Sequence, residues 1–377
     1  MTMNKYIWMA ALVGGLASTV TACGSDNDEP VQQEQEAKNL DYTADNAASW
    51  GNYMRVVAQL LVNDANTLYN DWTVSYNNGD SYAAFFKGQD ALLSVQQLID
   101  GCADIANEVG TAKIGDPYDL YVSGQTEKAL YAVESWYSWH SREDYRNNIY
   151  SIRNAYFGSR DGRPAALSLS EAVKAADAAL DAEMKAAIDA AAAAIWAIPS
   201  PFRNHINSSE AKVAMTACAD LNELLSRQLK AAVEQIDRTV LAQIVANYVE
   251  VVVVPTYRDL KTNNQALLDA VEAFRQSPSD AGFKACANAW LAAREPWETS
   301  EAFLFGPVAD KGLDPNMDSW PLDQDGIVQV LTSGNYASLD WNGDYDEESD
   351  AIASAQSLRG FHTLEFLIFK DGNARSL

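Results

Sequence analysis

A histidine and a glutamate three residues apart carry the clearest chemical signal in this sequence. They are His362 and Glu365, in the string GFHTLE at residues 360–365. On a helix this spacing puts both side chains on one face, where an imidazole and a carboxylate can share a metal ion or orient one another. The surrounding apolar residues predict a buried helix, and a buried carboxylate needs a cation or hydrogen-bond donors. The pair therefore indicates either a metal site or a core histidine hydrogen-bonded to its neighbour.

Two further carboxylates, Glu298 and Glu301, have the same spacing. Arg294 precedes Glu298 by four residues, so the two can pair along a helix. Trp297 and other aromatic residues lie in the same stretch. The stretch predicts carboxylates that could complete a metal site; the alternative is a surface ion pair beside an aromatic core face.

A third string, residues 134–148, gathers hydrogen-bonding side chains among aromatic residues. Its candidates are Glu134, Ser135, Ser138 and Asp144. The string is consistent with a polar pocket, and the alternative is a capped helix junction.

The composition limits the classes of partner. Of 377 residues, 52 are acidic and 27 are Lys or Arg, which gives a net charge of −25. This balance argues against binding nucleic acid or an anionic lipid surface, and it is compatible with binding a cation. Three histidines cannot build a multi-histidine metal cage, and the four cysteines form no CxxC pair of a zinc ribbon or finger.

Residues 1–22 are predicted to be a lipoprotein signal peptide. An apolar run at 6–16 is followed by Val-Thr-Ala-Cys, which ends at Cys23 and resembles a bacterial lipobox. Cys23 is then the lipid-modified first residue of the mature chain; an ordinary export signal with a chance cysteine is the alternative. Residues 23–40 are polar and predict a flexible tether. We expect an outer-membrane lipoprotein that faces the periplasm or the cell surface and contacts the membrane through this anchor.

The elements that carry the motifs are predicted to be helices. Apolar residues recur at helical spacing along most of the chain, and no alternating pattern of useful length predicts strands. Helices are expected over 168–198 and 348–369, and Pro255 is expected to interrupt a helix. The pattern predicts an all-α fold of two antiparallel bundles packed side by side, the first over 41–238 and the second over 239–377.

Two expectations concern other apolar segments. The valine-rich run 249–254 is too short to cross a membrane, and no segment after the signal is predicted to do so. Cys102, Cys218 and Cys286 lie in alanine-rich helical contexts and are expected to be free, buried thiols.

Together these strings resemble the imelysin family. The hexapeptide matches the GxHxxE hallmark of that family, carried here by Gly360, His362 and Glu365. The similar blocks are spread over most of the chain after residue 41, and their combination is specific. The other matching blocks contain Arg294, Trp297 and Glu301; residues 320–323; Glu134, Ser135, Ser138, Asp144, Asn147 and Asn148; and residues 198–202.

The order of the blocks departs from the usual order of the family. In most members the GxHxxE block comes first and the Glu-Ser block later, whereas here the hallmark lies near the end. This order indicates a circular permutation. Because domain termini often lie close together at the surface, a permuted chain can keep the same packing.

The resemblance implies a site near the interface of two bundles and a link to bacterial iron uptake. We expect a metal ion, with iron first and zinc or another divalent cation as alternatives, held by His362 and Glu365 with Glu301 or Glu298. Components of iron uptake are expected partners, and nucleic acid is not. The pocket around the site is expected to include Gly360, Arg294, Trp297, Glu134, Ser135, Ser138 and Asp144.

Two other functions are compatible with the same residues. A metallopeptidase of the imelysin type needs three protein ligands, an open water position and a general base. Glu298, Glu301 or Glu134 would have to supply the ligand and base that the hallmark lacks. The third hypothesis is a non-catalytic interaction module that binds a peptide, haem or another uptake component.

Overall fold

Helices account for nearly all regular structure in residues 40–341 and 343–377, the part of the chain that this computed structural model describes. The predicted all-α class is confirmed. The predicted signal peptide, Cys23 and all of the predicted tether except Leu40 lie outside the described residues.

The helices of the first half are joined by short connections. The longest, α1, buries Trp50, Tyr53, Val57 and Leu61 at spacings of three or four residues, so its apolar face is set by helical periodicity. The helices are α1 (Ala47–Thr73), α2 (Tyr82–Gly88), α3 (Ala91–Glu108), α4 (Gly115–Val122), α5 (Thr126–Ala132), α6 (Ser141–Phe157), α7 (Leu169–Ala176), α8 (Ala178–Ala197) and α9 (Ser209–Glu223).

The second half continues with helices and ends in a short hairpin. Its helices are α10 (Lys230–Val233), α11 (Arg238–Tyr248), α12 (Val254–Gln276), α13 (Asp280–Glu298), α14 (Pro307–Asp310), α15 (Leu313–Asp318), α16 (Gln324–Ser333), α17 (Asp350–Gln356) and α18 (Gly360–Ile368). The hairpin pairs β1 (Phe369–Lys370) with β2 (Asn373–Ala374) in antiparallel register. Turns of π-helix cover Val109–Lys113, Leu224–Leu229 and Val249–Val253, and turns of 3-10 helix cover Phe202–Asn204, Glu301–Phe303 and Tyr336–Leu339.

Helix packing brings the start of the fold to its end. Helix α1 packs against α12 and α18, and α12 packs against α13. A second set of contacts links α3, α6, α8, α9 and α11. Helix α6 contacts α13, which joins the two sets of helices where the candidate site lies. Because residues 41–377 form one compact unit, the division into 41–238 and 239–377 stays a prediction.

Three predicted helix boundaries are wrong. The helix expected over 168–198 is split at Asp177. This residue caps the N-terminus of α8, because its side chain accepts hydrogen bonds from two backbone amides at the start of that helix. The helix expected over 348–369 is broken between Gln356 and Gly360, because Arg359 is extended (φ −135°, ψ −175°) and Gly360, the first residue of α18, has a φ of +89°. Pro255 does not end a helix, because the π turn before it accommodates the missing amide hydrogen.

The continuous helix that results, Arg238–Gln276, is long enough to cross a membrane and contains an 18-residue stretch with a mean hydropathy of 1.5, so it meets the criteria of length and composition for a membrane span. On those criteria alone, the expectation that no later segment could do so is wrong. In this fold the helix packs against α1 and α13 and buries Tyr257, Leu260 and Leu267. It is therefore a core helix of the folded unit.

The three cysteines after Cys23 are free and buried, as expected. The first residue of the compact unit, Asp41, lies 2.8 Å from Lys370 Nζ and 3.1 Å from Arg375 Nη1. The two ends of the described fold are therefore adjacent.

Candidate functional site

Both ring nitrogens of His362 face carboxylates. Nδ1 lies 3.0 Å from Glu365 Oε2, and Nε2 lies 3.0 Å from Asp318 Oδ1. The ring is fully buried and the Trp320 ring packs edge-on against it. The predicted placement of His362 and Glu365 on one helix face is confirmed, because α18 carries both.

Glu365 is anchored by the loop before α6. Its Oε1 accepts hydrogen bonds from the Tyr137 amide at 3.0 Å, and from the Ser138 amide and hydroxyl at 2.7 Å each. Ser135 and Trp139 in this loop have positive φ angles, which turn the backbone amides toward one point. The loop therefore fixes the carboxylate that orients His362.

Asp318, at the end of α15, was not among the predicted site residues. Its Oδ2 accepts a hydrogen bond from Trp297 Nε1 at 2.7 Å, and its Oδ1 contacts Arg294 as well as His362. Asp318 lies two residues before Trp320, next to the block at residues 320–323 that resembles the family. This position in the sequence could have identified it as a candidate.

Arg294 lies at the centre of the site and is fully buried. Its guanidinium is 2.7 Å from Glu298 Oε1 and 3.5 Å from Asp144 Oδ2, and it contacts Asp318. The Arg294–Glu298 pairing along α13 is confirmed, but the alternative of a surface pair is wrong. Because Arg294 connects α13 with α6 and α15, it holds three segments of the site together.

Three carboxylates form a candidate cation site. Oxygen atoms of Glu298, Glu301 and Asp318 all lie within 4.8 Å of one another. Glu298 and Glu301 were predicted for this role. Asn148 Nδ2 on α6 donates to Glu298 Oε2 at 2.5 Å, while Asn148 Oδ1 is buried and has no hydrogen-bond partner. Carboxylate and amide oxygens are ligands that hard cations prefer, so these side chains fit a metal ion.

A second buried ion pair lies beside this cluster. Lys113 Nζ, in the π turn after α3, is 3.0 and 2.9 Å from the two oxygens of Glu134. Glu134 is thus brought near the site, but it pairs with a lysine that the sequence reasoning missed. A buried lysine needs a carboxylate partner, because an unpaired buried charge destabilises the fold. No motif around Lys113 predicts that this partner is Glu134.

Ser135, Asp144 and His140 form a polar chain. Ser135 Oγ donates to Asp144 Oδ2, and His140 Nδ1 lies 2.9 Å from Asp144 Oδ1. The aspartate stands between serine and histidine, so the histidine is not placed to take the serine proton. These three side chains therefore do not have the arrangement of a serine nucleophile and its base.

The environment shifts the pKa values of several of these groups. Burial and the Arg294 charge lower the pKa of His362, but hydrogen bonds to Asp318 and Glu365 outweigh them and raise it to about 9. Burial raises the pKa of Glu298 well above its ordinary value in spite of the nearby Arg294 charge. Burial alone would raise the pKa of Asp144, but the charges of Arg294 and His140 lower it to about 2.

Negative charge is in excess among the buried groups of the site. The cations that face the carboxylates are Lys113 and Arg294, joined by His362 and the partly exposed His140 when these are protonated. Uncompensated buried charge is costly, so the site favours an additional cation or bound protons. The carboxylates are those of Glu134, Asp144, Glu298, Glu301, Asp318 and Glu365.

The fold brings together every predicted site residue that the structure describes. Gly360 begins α18 against Met317, and Ser138 contacts Glu365 directly. Glu365 has one oxygen on three protein donors and the other on His362, so its predicted role as a metal ligand stays a prediction. Asp318 and Lys113 are the additions that the structure makes, and Asn148, which belongs to the block of Glu134, is shown to contact Glu298.

Comparisons with known proteins identify the family of this chain. The family model described as Peptidase_M75: Imelysin matches residues 26–228 and 253–377. A solved structure of an imelysin peptidase from Bacteroides ovatus is 55% identical, covers 90% of this chain and 99% of that chain, and has a TM-score of 0.89.

A curated relative, Iron-regulated protein A of Synechococcus elongatus, is 30% identical over 152 residues. The match covers 40% of this chain and 37% of the relative's length. The circular permutation stays a prediction. The family model and the solved structure confirm the resemblance seen in the GxHxxE block, and the chain belongs to the imelysin family.

Proposed function

We propose that this chain is a lipid-anchored protein of bacterial iron acquisition that binds a metal ion at Glu298, Glu301 and Asp318. One observation carries the metal site: three carboxylates converge within 4.8 Å inside a buried region where negative charge is in excess. A divalent or trivalent cation compensates such a cluster more completely than protons do, because it attracts all three carboxylates at once.

Iron is the proposed metal. The curated relative named Iron-regulated protein A supports a link to iron, over the 37% of its length that the match covers. Hard oxygen ligands with one imidazole nearby suit iron or manganese, and they suit zinc less well.

The lipid anchor and the location are parts of the same proposal. Cys23 in its lipobox-like context would attach the chain to the outer membrane, on the periplasmic or the cell-surface side. The acidic tether would separate the fold from the membrane. Iron-uptake components in the same compartment are the proposed partners.

The enzymatic alternative is a metallopeptidase, because the similar Bacteroides ovatus protein is described as an imelysin peptidase. A catalytic metal needs a coordination position open to water and substrate. Here Glu298 and His362 are fully buried and Glu301 is 4% exposed. The burial favours a site that holds a cation over one that admits a peptide.

Metal binding by the purified full chain tests the proposal. We would remove metal with a chelator, measure Fe²⁺, Mn²⁺ and Zn²⁺ binding by calorimetry and elemental analysis, and assay peptide cleavage in parallel. The expected result is one metal ion per chain, loss of binding in Glu301→Gln and Asp318→Asn, and no cleavage. Glu272→Gln, at a partly exposed surface ion pair, is the matched control and should bind normally.

Two outcomes contradict the proposal. Equal metal binding by wild type, Glu301→Gln and Asp318→Asn would show that the cluster is not the site. Peptide cleavage that depends on metal and disappears in these variants would establish the peptidase instead.

A further inference from the structure

We infer that the cation site is made of four oxygen donors, with Asn148 Oδ1 as the fourth, and that His362 positions Asp318 instead of binding the metal. This inference rests on the proposed function and extends it to the class of ion that the site selects. The histidine of the GxHxxE motif then orients a metal ligand and does not bind the metal itself.

Asn148 provides the first step. Its side chain is fully buried on α6, and its Nδ2 donates to Glu298 Oε2 at 2.5 Å and to the Glu298 carbonyl at 3.3 Å. The other end of the same amide, Oδ1, is a buried acceptor without a hydrogen-bond partner. Leaving such an acceptor unsatisfied destabilises a folded protein, so a partner is expected at this position. A cation shared with Glu298 satisfies it.

The helix geometry supports the same role. Asn148 lies four residues after Asp144 on α6, so both side chains are on the face that packs against α13. Asp144 contacts Arg294, while Asn148 contacts Glu298 one turn further along both helices. Asn148 is thus held at the carboxylate cluster by the packing of two rigid helices.

The contacts of His362 provide the second step. The loop fixes Glu365 through three donors, Glu365 holds Nδ1 at 3.0 Å, and Nε2 faces Asp318 Oδ1 at 3.0 Å. Because both ring nitrogens are directed at carboxylates, the ring can donate two hydrogen bonds and leaves neither nitrogen for a metal. Partners of this kind orient ligating carboxylates and are required for full metal affinity.

The ligand set predicts the class of cation. Four oxygens from Glu298, Glu301, Asp318 and Asn148 suit hard ions such as Mn²⁺, Fe²⁺ or Fe³⁺. Direct ligation by histidine would shift the preference toward Zn²⁺ and Cu²⁺. The two arrangements are therefore distinguishable by the nitrogen atoms bound to the metal.

Pulsed electron paramagnetic resonance of the Mn²⁺-loaded full chain tests the role of His362. The expected spectrum shows no coupling to a directly bound imidazole nitrogen, in wild type and in His362→Gln alike. We expect His362→Gln to lower Mn²⁺ affinity about 10- to 100-fold, as the loss of a supporting group does. Imidazole coupling that is present in wild type and absent in His362→Gln would overturn the inference and leave the proposed function intact. Failure of wild type to bind any metal would overturn both.

Mn²⁺ affinity of Asn148 variants tests the fourth oxygen. Asn148→Ala should bind Mn²⁺ at least about tenfold more weakly. Asn148→Asp keeps an oxygen at this position but loses the Nδ2 donor to Glu298, so it should bind Mn²⁺ more tightly than Asn148→Ala does. Asn147→Ala, at the partly exposed neighbouring position, is the matched control. Equal affinity of Asn148→Ala and wild type would overturn this role. Binding by Asn148→Asp that is no tighter than that of Asn148→Ala, with the circular dichroism of both variants unchanged, would also overturn it.

Discussion

His362 Nε2 on α18 and Asp318 Oδ1 at the end of α15 lie 3.0 Å apart in the interior of the protein. The contact joins the helix that carries the GxHxxE motif to a segment outside that motif. His362 Nε2 also lies 3.4 Å from Arg294 Nη2, and through Asp318 the histidine reaches the carboxylate cluster. The hallmark of the family is therefore one component of a network built from distant parts of the chain.

Replacement of Arg294 should destabilise the fold strongly. Arg294→Gln leaves Asp144, Glu298 and Asp318 without their shared buried cation, and breaking one buried pair costs about 3–5 kcal/mol. The free energy of unfolding, measured in urea by circular dichroism, checks this. Arg275→Gln, at a partly exposed pair with Glu272, should cost less than about 1 kcal/mol. Similar losses for the two variants would contradict the central role of Arg294.

The hydroxyl of Ser138 should contribute to stability through Glu365. Ser138→Ala removes one of the three hydrogen bonds to Glu365 Oε1, and a hydrogen bond to a charged group contributes about 1.5–3 kcal/mol. Ser123→Ala removes an exposed hydroxyl that bonds a helix carbonyl, and should change stability by less than about 0.5 kcal/mol. Thermal and urea unfolding of both variants provide the comparison. Unchanged stability of Ser138→Ala would show that the two backbone amides are enough to hold Glu365.

A side chain at Gly360 should displace the segment that carries Asp318. Gly360 has a φ of +89°, and an added Cβ would lie 2.6 Å from the Met317 carbonyl oxygen. Gly360→Ala should therefore lose more than the roughly 1–2 kcal/mol that a left-handed backbone costs, and should also weaken metal binding. Gly334→Ala has a φ of +66° with open space around it, so it reports the backbone cost alone. Equal losses in the free energy of unfolding for the two variants would show that the backbone at Met317 moves aside without destabilising the fold.

Stability should depend on pH through His140. Burial and the Arg294 charge lower the pKa of His140, but the charge and hydrogen bond of Asp144 and the charge of Glu143 raise it above 6.5. A folded-state pKa above the unfolded value means that protonated His140 stabilises the fold fully below about pH 6.5, and that this contribution is lost as the pH rises through the folded-state pKa. The stability advantage of wild type over His140→Gln should therefore shrink from pH 5.5 to pH 9. An advantage that grows over this range would contradict the shift.

Cys23 should decide whether the chain is attached to a membrane. In cells that express the full chain, wild type should sediment with the membranes, and Cys23→Ser should appear in the soluble fraction or remain as an uncleaved precursor. Cys102→Ser, which changes a buried free cysteine, is the matched control and should still sediment. Membrane association of Cys23→Ser with normal cleavage would contradict the lipid anchor.

Local patterns in the sequence account for much of the fold and for part of the site. Helical periodicity identifies the all-α class, because one apolar face per helix is enough to specify it. The three-residue spacing predicts that His362 and Glu365 share a face, and the four-residue spacing predicts the Arg294–Glu298 pair. Helix boundaries are less well predicted, since Asp177 and Gly360 act through a cap and a backbone angle that the apolar pattern does not contain.

The composition and spacing of the residues by themselves determined the helices, the excess of acid and the single candidate histidine. Only the tertiary structure decided that this histidine faces Asp318, that Lys113 pairs with Glu134, and that Asn148 presents an unsatisfied oxygen beside Glu298. The physical reason is that spacing along a helix fixes contacts within one turn or two. Contacts between helices depend on how buried faces pack and on which charges must be compensated once water is excluded.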